Sequence, residues 1–549
     1  MTEGPRFIVT SAPPNPNGDL HLGHLAGPFL GADVLARYLR QAGRDVVHVG
    51  YADDYSCYVT RKASELERPA AEVAHVFGAR MEQTLSLGNM PHDYFTHPLR
   101  EPIHGELVQR LFGEMWQRGA FEVHELPAYW CTGCDRYLYE AEMRGSCQFC
   151  ASPSDGVYCE ECGRPQETTG LRNPRCTRCG TTDPEVRMQR RIVFPLEKYR
   201  SRLRGHYADQ SLRPRLRGYL DDMFSRPLPA TPVSRVACYG IPVPLDGWDG
   251  NILDTWYSGI FGYIAATVAH EMACGNNGAG LAAWMRKDTE VAHFFGFDCS
   301  FSHTILWPAL LMAHGGLTLP DRVITNEFYR LEGEKFSTSR GHAIWGNDVL
   351  RRVPADLLRF YLCLTGPETE FGNFAAKDFT QTVNDQVVGP LAGWIGTVFA
   401  QAARAWGGLV PEATPQPSSA LADLSRSLPA RLQAALDPAG FSPRRAAEHL
   451  LTVFTTLPAA AADLVSESPA AQSDRDALLV SHLELLAVLA AVAAPIMPAF
   501  SSETAKALGL RATGSLRPVL AWPSSGERLV PAGRRISTDP PVPFQPVVM

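Results

Sequence analysis

The chain lacks an unbroken run of eighteen apolar residues, so no segment reads as a membrane span. Its start, MTEGPRFIVT, has no basic stretch leading into an apolar core, so no secretory leader is expected and a cytoplasmic location is. It also lacks an excess of positive charge. Lys and Arg number 51 against 58 Asp and Glu, a net charge of −7. A nucleic-acid partner would therefore need a local basic patch. Internal repeats are absent apart from a set of cysteine pairs. The length, 549 residues, exceeds what one core usually serves, so at least three domains are expected.

The cysteines are concentrated. Eight of the thirteen form C-x-x-C pairs: Cys131/Cys134, Cys147/Cys150, Cys159/Cys162 and Cys176/Cys179. Two thiolates at this spacing bind one tetrahedral ion, and two such knuckles complete four sulfur ligands. Eight ligands suit two Zn²⁺ ions with a structural role, since four thiolates leave no open position. Disulfides are disfavoured in a cytosolic chain, and an iron–sulfur cluster is the weaker alternative. Cys57, Cys238, Cys274, Cys299 and Cys363 read as small buried hydrophobes.

Residues 7–60 alternate strand and helix patterns. RFIVT is a short apolar strand, HLGHLAGPFLGADVLARYLRQAG is helix-like with Gly43 past its end, and DVVHVGYADD is a second strand ending in carboxylates. This β-α-β pattern belongs to a parallel sheet, whose ligands bind beyond the carboxyl ends of the strands. Residues 116–240 interrupt it as an insertion holding the knuckles. The α/β pattern returns over 241–375. Residues 376–510 read as a helix bundle, and 511–549 as an extended tail over the surface.

Two stretches carry the chemistry. In SAPPNPNGDLHLGH (11–24), His21 and His24 stand at a helix N-terminus, where imidazole N–H groups, free backbone donors and the helix dipole suit a phosphate chain. Gly23 leaves space there for a base or ribose to lie flat. In GEKFSTSRG (333–341), Lys335, Ser337, Ser339 and Arg340 share one loop that could close on pyrophosphate.

These stretches resemble the HIGH and KMSKS signatures of class I aminoacyl-tRNA synthetases. The whole chain resembles the methionyl-tRNA synthetase family. The likeness extends through the knuckles, VSRVACYGIPVP (233–244), VAHFFGFDCSFSHTILWPALL (291–311), PIMPAFSSETAKALGL (495–510) and VPAGRRIS (530–537). The resemblance implies an α/β fold: a Rossmann-type catalytic core, a zinc-knuckle insertion and a C-terminal α-helical bundle. It implies that a carboxylate attacks the α-phosphate of ATP, with Mg²⁺, giving aminoacyl-AMP and pyrophosphate. His21 and His24 would stabilise the phosphates, Lys335 would hold the pyrophosphate, and Ser337 and Ser339 would shape the loop. Arg340 would add charge, Asp298 would bind the ribose with room left by Gly296, and Asp53 would pair with the substrate ammonium. Helix N-capping is the alternative role for Asp53. Ala12, Trp256, Tyr263 and His303 match the family's methionine-binding positions.

The departures bear on substrate and acceptor. Phe336 and Thr338 replace a methionine and a lysine of the signature loop. Pro13, Asn15, Ile260 and Cys299 replace a leucine, a tyrosine, a proline and an isoleucine of the pocket. Asn15 adds an amide where the family has an aromatic wall, which suits a more polar side chain. The segment Asp53-Asp54-Tyr55-Ser56-Cys57 lacks the family's histidine and glycine. Ala392 and Gly396 stand where the family reads the anticodon with an asparagine and an arginine, and FTTLPAAAADL (454–464) lacks its tryptophan. Residues 375–549 hold thirteen basic and fourteen acidic side chains, whereas a tRNA-gripping domain is usually more basic. Trp394 and Trp406 read as core. These changes favour an adenylate-forming paralogue that passes its aminoacyl group to a small-molecule acceptor in a specialised natural-product pathway. Such a reaction would need a separate cupin-type partner. The alternative is a methionine–tRNA ligase, with tRNA as partner; a catalytically dead relic is disfavoured by the retained set of site residues.

Overall fold

The computed structural model describes residues 6–336, 341–413, 415, 419–465, 471–511, 520–524, 527–541 and 544–549. Two compact units emerge, each assembled from several segments. The first takes the chain through Leu20, then Val47–Thr84 and Pro91–Glu327; the second takes His21–Val46, Leu85–Met90 and the chain from Phe328. This division cuts across the five consecutive segments expected above. The helix of the first β-α-β unit groups with the C-terminal half, and the boundary at 115/116 falls inside the helix Pro102–Gln117.

The first unit is built on a five-stranded sheet. Its strands are β1 (Phe7–Ser11), β2 (Val46–Tyr51), β3 (Tyr94–Thr96), β4 (Glu290–Gly296) and β5 (Arg322–Asn326), in the spatial order β5-β4-β1-β2-β3. Strand β1 pairs parallel with β4, β4 with β5 and β2 with β3, with Phe7 opposite Glu290 and Ala292 opposite Arg322. Strand β1 is buried along its whole length, which explains its unbroken apolar run. Ala12, Asp53 and Phe297–Cys299 directly follow β1, β2 and β4, so the order reversal at β1 gathers them at one sheet edge.

The insertion is a four-stranded antiparallel sheet plus small metal-knuckle turns. Two ten-residue strands, Glu122–Cys131 and Glu185–Phe194, pair over nine positions. Strand Arg172–Cys176 joins a second sheet with Met143–Ser146 and Pro153–Ser154.

The second unit is helical. Helix Leu30–Gln41 packs with a bundle containing Ala355–Leu364, Gly389–Trp406, Ser419–Leu436, Pro443–Val465 and Gln472–Ala493. Gly43 adopts φ +76°, the left-handed conformation that ends the first of these. A fully buried Arg359 reaches Asp33 at 2.7 Å and the carbonyls of Pro495, Ile496 and Asn89 at 2.7, 2.8 and 2.9 Å. Arg37 donates to the same carboxylate at 2.7 Å, and these cations hold Asp33 below the usual carboxylate range despite its burial.

By length and composition alone, Gln472–Ala493 could cross a membrane, with a mean hydropathy of 1.9; 89% of its apolar window is buried within the protein. It is the bundle's central helix. The tail is more anchored than expected. Val530 and Ile536 are buried, Leu409 bridges to Arg535, and Asn384 exchanges two hydrogen bonds with Val547, each 2.8 Å.

Candidate active site

In the first unit, the loop after β1 and the loop after β2 are tied together: the Asp53 amide donates to the Pro14 carbonyl at 3.0 Å. Ser56, not Asp53, caps the following helix, Cys57–Leu66. The N-cap reading of Asp53 is therefore excluded. Among the described residues the Asp53 carboxylate has neither an ion pair nor a hydrogen-bond partner. Burial, then the negative charges of Glu140, Asp54 and Asp254, push its pKa well above the usual range. A substrate ammonium would relieve this cost. Gly259 and Gly262 open the floor beside it. A Cβ on Gly262 would meet the Tyr51 ring at 2.6 Å.

The pocket's other walls form a hydrogen-bonded chain. His303 Nδ1 lies 3.1 Å from the Cys299 carbonyl, which can only accept, so Nδ1 carries the proton. Its Nε2 then accepts from the Tyr263 hydroxyl at 2.8 Å. Burial holds His303 down to about 4, keeping it neutral. The His293 ring stacks on it at 4.7 Å. Trp256 lies in the short helix Thr255–Ser258, capped by Asp254, and meets Tyr158 edge-on at 4.6 Å. Cys299 and Ala12 are half-buried, and burial raises the Cys299 thiol. The half-buried Asn15 amide makes no hydrogen bond to a described residue. Gly296 has a defined role: a Cβ there would stand 2.4 Å from an Asp298 carboxylate oxygen.

In the second unit, His21 is the N-cap residue of the short helix Leu22–His24, which places both histidines at a helix start as the motif predicts. The two rings stack at 3.7 Å, and the His21 amide donates to His24 Nδ1 at 3.1 Å. His24 therefore presents its N–H at Nε2. Burial holds His24 to about 4; burial and then His24 lower His21 further. Both are neutral N–H donors near pH 7. The expectation for Gly23 needs correction. Its open face is filled by protein, because the Phe336 ring lies 3.3 Å from where a Cβ would be and stacks on His21 at 4.6 Å. Lys335 is exposed on a two-residue strand, with Nζ 4.7 Å from the Phe328 ring centroid. Ser337, Thr338, Ser339 and Arg340 lie outside the described residues.

The eight knuckle cysteines form two clusters. Cys131, Cys134, Cys176 and Cys179 make one, and Cys147, Cys150, Cys159 and Cys162 the other, each with all sulfurs within 4.8 Å. The second set is nested between the halves of the first. Sulfur separations of 3.4, 3.8, 3.9 and 3.6 Å match thiolates sharing one zinc, whose sulfurs stand roughly 3.8 Å apart. The cysteines are free thiols, which removes the disulfide reading. Sulfurs bound to separate irons of a cluster would stand wider apart.

Glu140 was not singled out from the sequence. It is buried, accepts from Trp256 Nε1 at 2.9 Å and from Cys57 Sγ at 2.8 Å, and burial pushes it up to about 7. Nothing in its local pattern marks it, because it reaches the pocket from the insertion.

Comparison with known proteins now decides the family. The family model for tRNA synthetases class I (M) matches residues 7–398. The chain belongs to this family. Within it, the chain is 32% identical over 412 residues to a methionine–tRNA ligase of Methanopyrus kandleri, covering 74% of this chain and 61% of that protein. It is 28% identical over 572 residues to the Salinibacter ruber methionine–tRNA ligase, covering 98% and 78%. It thus spans about six-tenths of the Methanopyrus relative's length. The fold is shared with a crystal structure of Mycobacterium tuberculosis methionyl-tRNA synthetase bound by methionyl-adenylate: TM-score 0.77, 19% identity, covering 98% of this chain and 99% of that one. These relatives give no support to a cupin-type partner or a specialised pathway.

Proposed function

We propose that this protein activates an amino acid with ATP and transfers it to tRNA, as a methionine–tRNA ligase. The carrying observation is the Asp53 carboxylate, which has no partner among the described residues and is set among walls that family members use for methionine. Asp53 would take the ammonium and, once paired, ionise fully. The amino acid carboxylate is left free to attack. A carboxylate oxygen forms a bond to the α-phosphorus, the bond from that phosphorus to the β-phosphate bridge breaks, and pyrophosphate leaves with the electron pair. Asp298 would hold the ribose hydroxyls, as the family resemblance implies. In the second unit, neutral His21 and His24 would donate N–H groups to phosphate oxygens, and Lys335 would neutralise pyrophosphate. Mg²⁺, entering with ATP, would supply further charge neutralisation. Zn²⁺ at the two four-cysteine clusters would hold the insertion in shape and take no part in the chemical step.

One observation favours a second reading, transfer to a small acceptor. Among the described residues of 376–510 no aromatic side chain is exposed, and Ala392 and Gly396 carry no donors. Anticodon reading needs stacking planes and donors. The test is pyrophosphate exchange over a panel of amino acids, followed by charging of bulk tRNA. Methionine-dependent exchange with charged tRNA supports the ligase. Exchange with another amino acid and no charging supports the small acceptor.

A further inference from the structure

Between the knuckles and the pocket runs a short chain of contacts within the first unit. Thr177, between Cys176 and Cys179, donates its amide to the Glu142 carbonyl and its hydroxyl to the Ala141 carbonyl, both at 2.9 Å. These bonds pin the turn Glu140–Glu142 to the metal-binding loop. Glu140 itself adopts φ +45°, a left-handed conformation that a non-glycine residue keeps only when its surroundings impose it. From this turn two neighbouring side chains grip Trp256 at both ends. Glu140 accepts from the indole Nε1 at 2.9 Å. Tyr139 donates to Asp254 at 2.8 Å, and the same Asp254 oxygen accepts from the Trp256 amide at 3.1 Å. The second Glu140 oxygen accepts from Cys57, and Cys57 in turn accepts from the Ala141 amide at 3.4 Å. The turn is thereby anchored to the segment that follows Asp53.

We propose that Glu140 is a positioning residue: pinned by the first metal cluster, it fixes the Trp256 wall and so links metal occupancy to amino-acid affinity. This rests on the adenylation reading for what the pocket binds, but the geometry of Trp256 can be read without it. A carboxylate oxygen holding an indole N–H orders a large ring that would otherwise pivot about two side-chain bonds. A ring that pivots misplaces the pocket wall, and misplacement of this kind costs amino-acid affinity while leaving ATP affinity alone.

The test uses the full chain labelled with 5-fluorotryptophan, the Trp256 fluorine line being assigned with Trp256→Phe. Glu140→Ala is expected to shift and broaden that line. Glu140→Gln keeps an acceptor oxygen for the indole and is expected to restore it. Thr177→Val and removal of metal by chelator should each move the line in the direction of Glu140→Ala. Should the alanine variant not fold, Glu140→Asp, which draws the carboxylate back by one methylene, is expected to give the same shift. In pyrophosphate exchange, Glu140→Ala should raise the amino-acid KM about tenfold or more with the ATP KM unchanged. A Trp256 line that ignores Glu140→Ala, or one restored by neither variant nor metal, overturns the proposal. Absence of exchange with every amino acid in the unaltered protein would instead defeat the adenylation reading, and the fluorine spectra would still decide the role of Glu140.

Discussion

The amino-acid pocket and the helical bundle bury polar side chains in different ways. In the bundle the large polar side chains of Arg359, Trp394 and Trp406 each have a protein partner. Arg359 is saturated by Asp33 and four main-chain carbonyls, those of Gly88, Asn89, Pro495 and Ile496; Trp394 donates to His482 at 2.9 Å, and Trp406 donates to Asp476 at 2.8 Å. In the pocket, Tyr263, His303, Trp256 and Glu140 are likewise satisfied, yet the half-buried Asp53 carboxylate and Asn15 side-chain amide have no partner among the described residues. Burying a carboxylate alone is costly, and a fold retains such a group where something else completes it. The difference separates a region built to hold together from one built to receive a ligand.

The sharpest way to break the comparison is at Arg359. Arg359→Ala leaves Asp33 paired only with Arg37 and strands four carbonyls, so stability should fall by about 3–5 kcal/mol. Chemical denaturation checks this, and pyrophosphate exchange per folded molecule should survive. A small loss would mean that water replaces the guanidinium. The metal clusters come next. Cys131→Ala should reduce bound zinc from two ions to one per chain by elemental analysis, while the nested set of Cys147, Cys150, Cys159 and Cys162 keeps its ion; loss of both would show the clusters fold as one.

Smaller effects refine the contrast. Trp394→Phe removes one buried indole hydrogen bond to His482 and should cost about 1 kcal/mol, with no change in exchange or charging; reduced charging would show that this helix touches tRNA. A pH effect follows from His97. Burial alone would lower it, but the Glu82 carboxylate, hydrogen-bonded at 2.8 Å, and the Asp54 carboxylate, 3.7 Å away, outweigh burial and raise it to about 9. A raised folded value stabilises fully below the ordinary imidazole value near 6.5, and that contribution is lost as pH rises through about 9. His97→Gln should flatten the stability profile between these limits, measured by thermal unfolding across pH.

Much of this was legible in the sequence because the candidate pocket residues follow short apolar strands. FIVT and VVHVGY announced β1 and β2, so Ala12, Asn15 and Asp53 could be placed at strand ends before any coordinates. The C-x-x-C spacing announced the two clusters, though not that one pairs across the other, since pairing depends on the path of strand Arg172–Cys176. Of the two tryptophans expected in the core, Trp394 is buried, whereas Trp406 is half-buried and donates to Asp476. Three things were not legible in the sequence. Glu140 acts on Trp256 across a long chain separation, and no local pattern encodes that. The face of Gly23 looked open because Phe336 lies in another segment. The division into two units was hidden because helix Leu30–Gln41 is amphipathic like any Rossmann helix, and only its partner Arg359 reveals where it packs.

The most direct test of the central claim is amino-acid-dependent ATP–pyrophosphate exchange by the unaltered chain and by Asp53→Asn, with unfolding followed in parallel. The account predicts exchange at least about a hundredfold weaker in the variant, with stability equal to or above that of the unaltered chain, because a half-buried carboxylate set among like charges has been neutralised. Unchanged exchange, or exchange lost together with stability, would show that Asp53 belongs to the scaffold and that the pocket binds its substrate by other means.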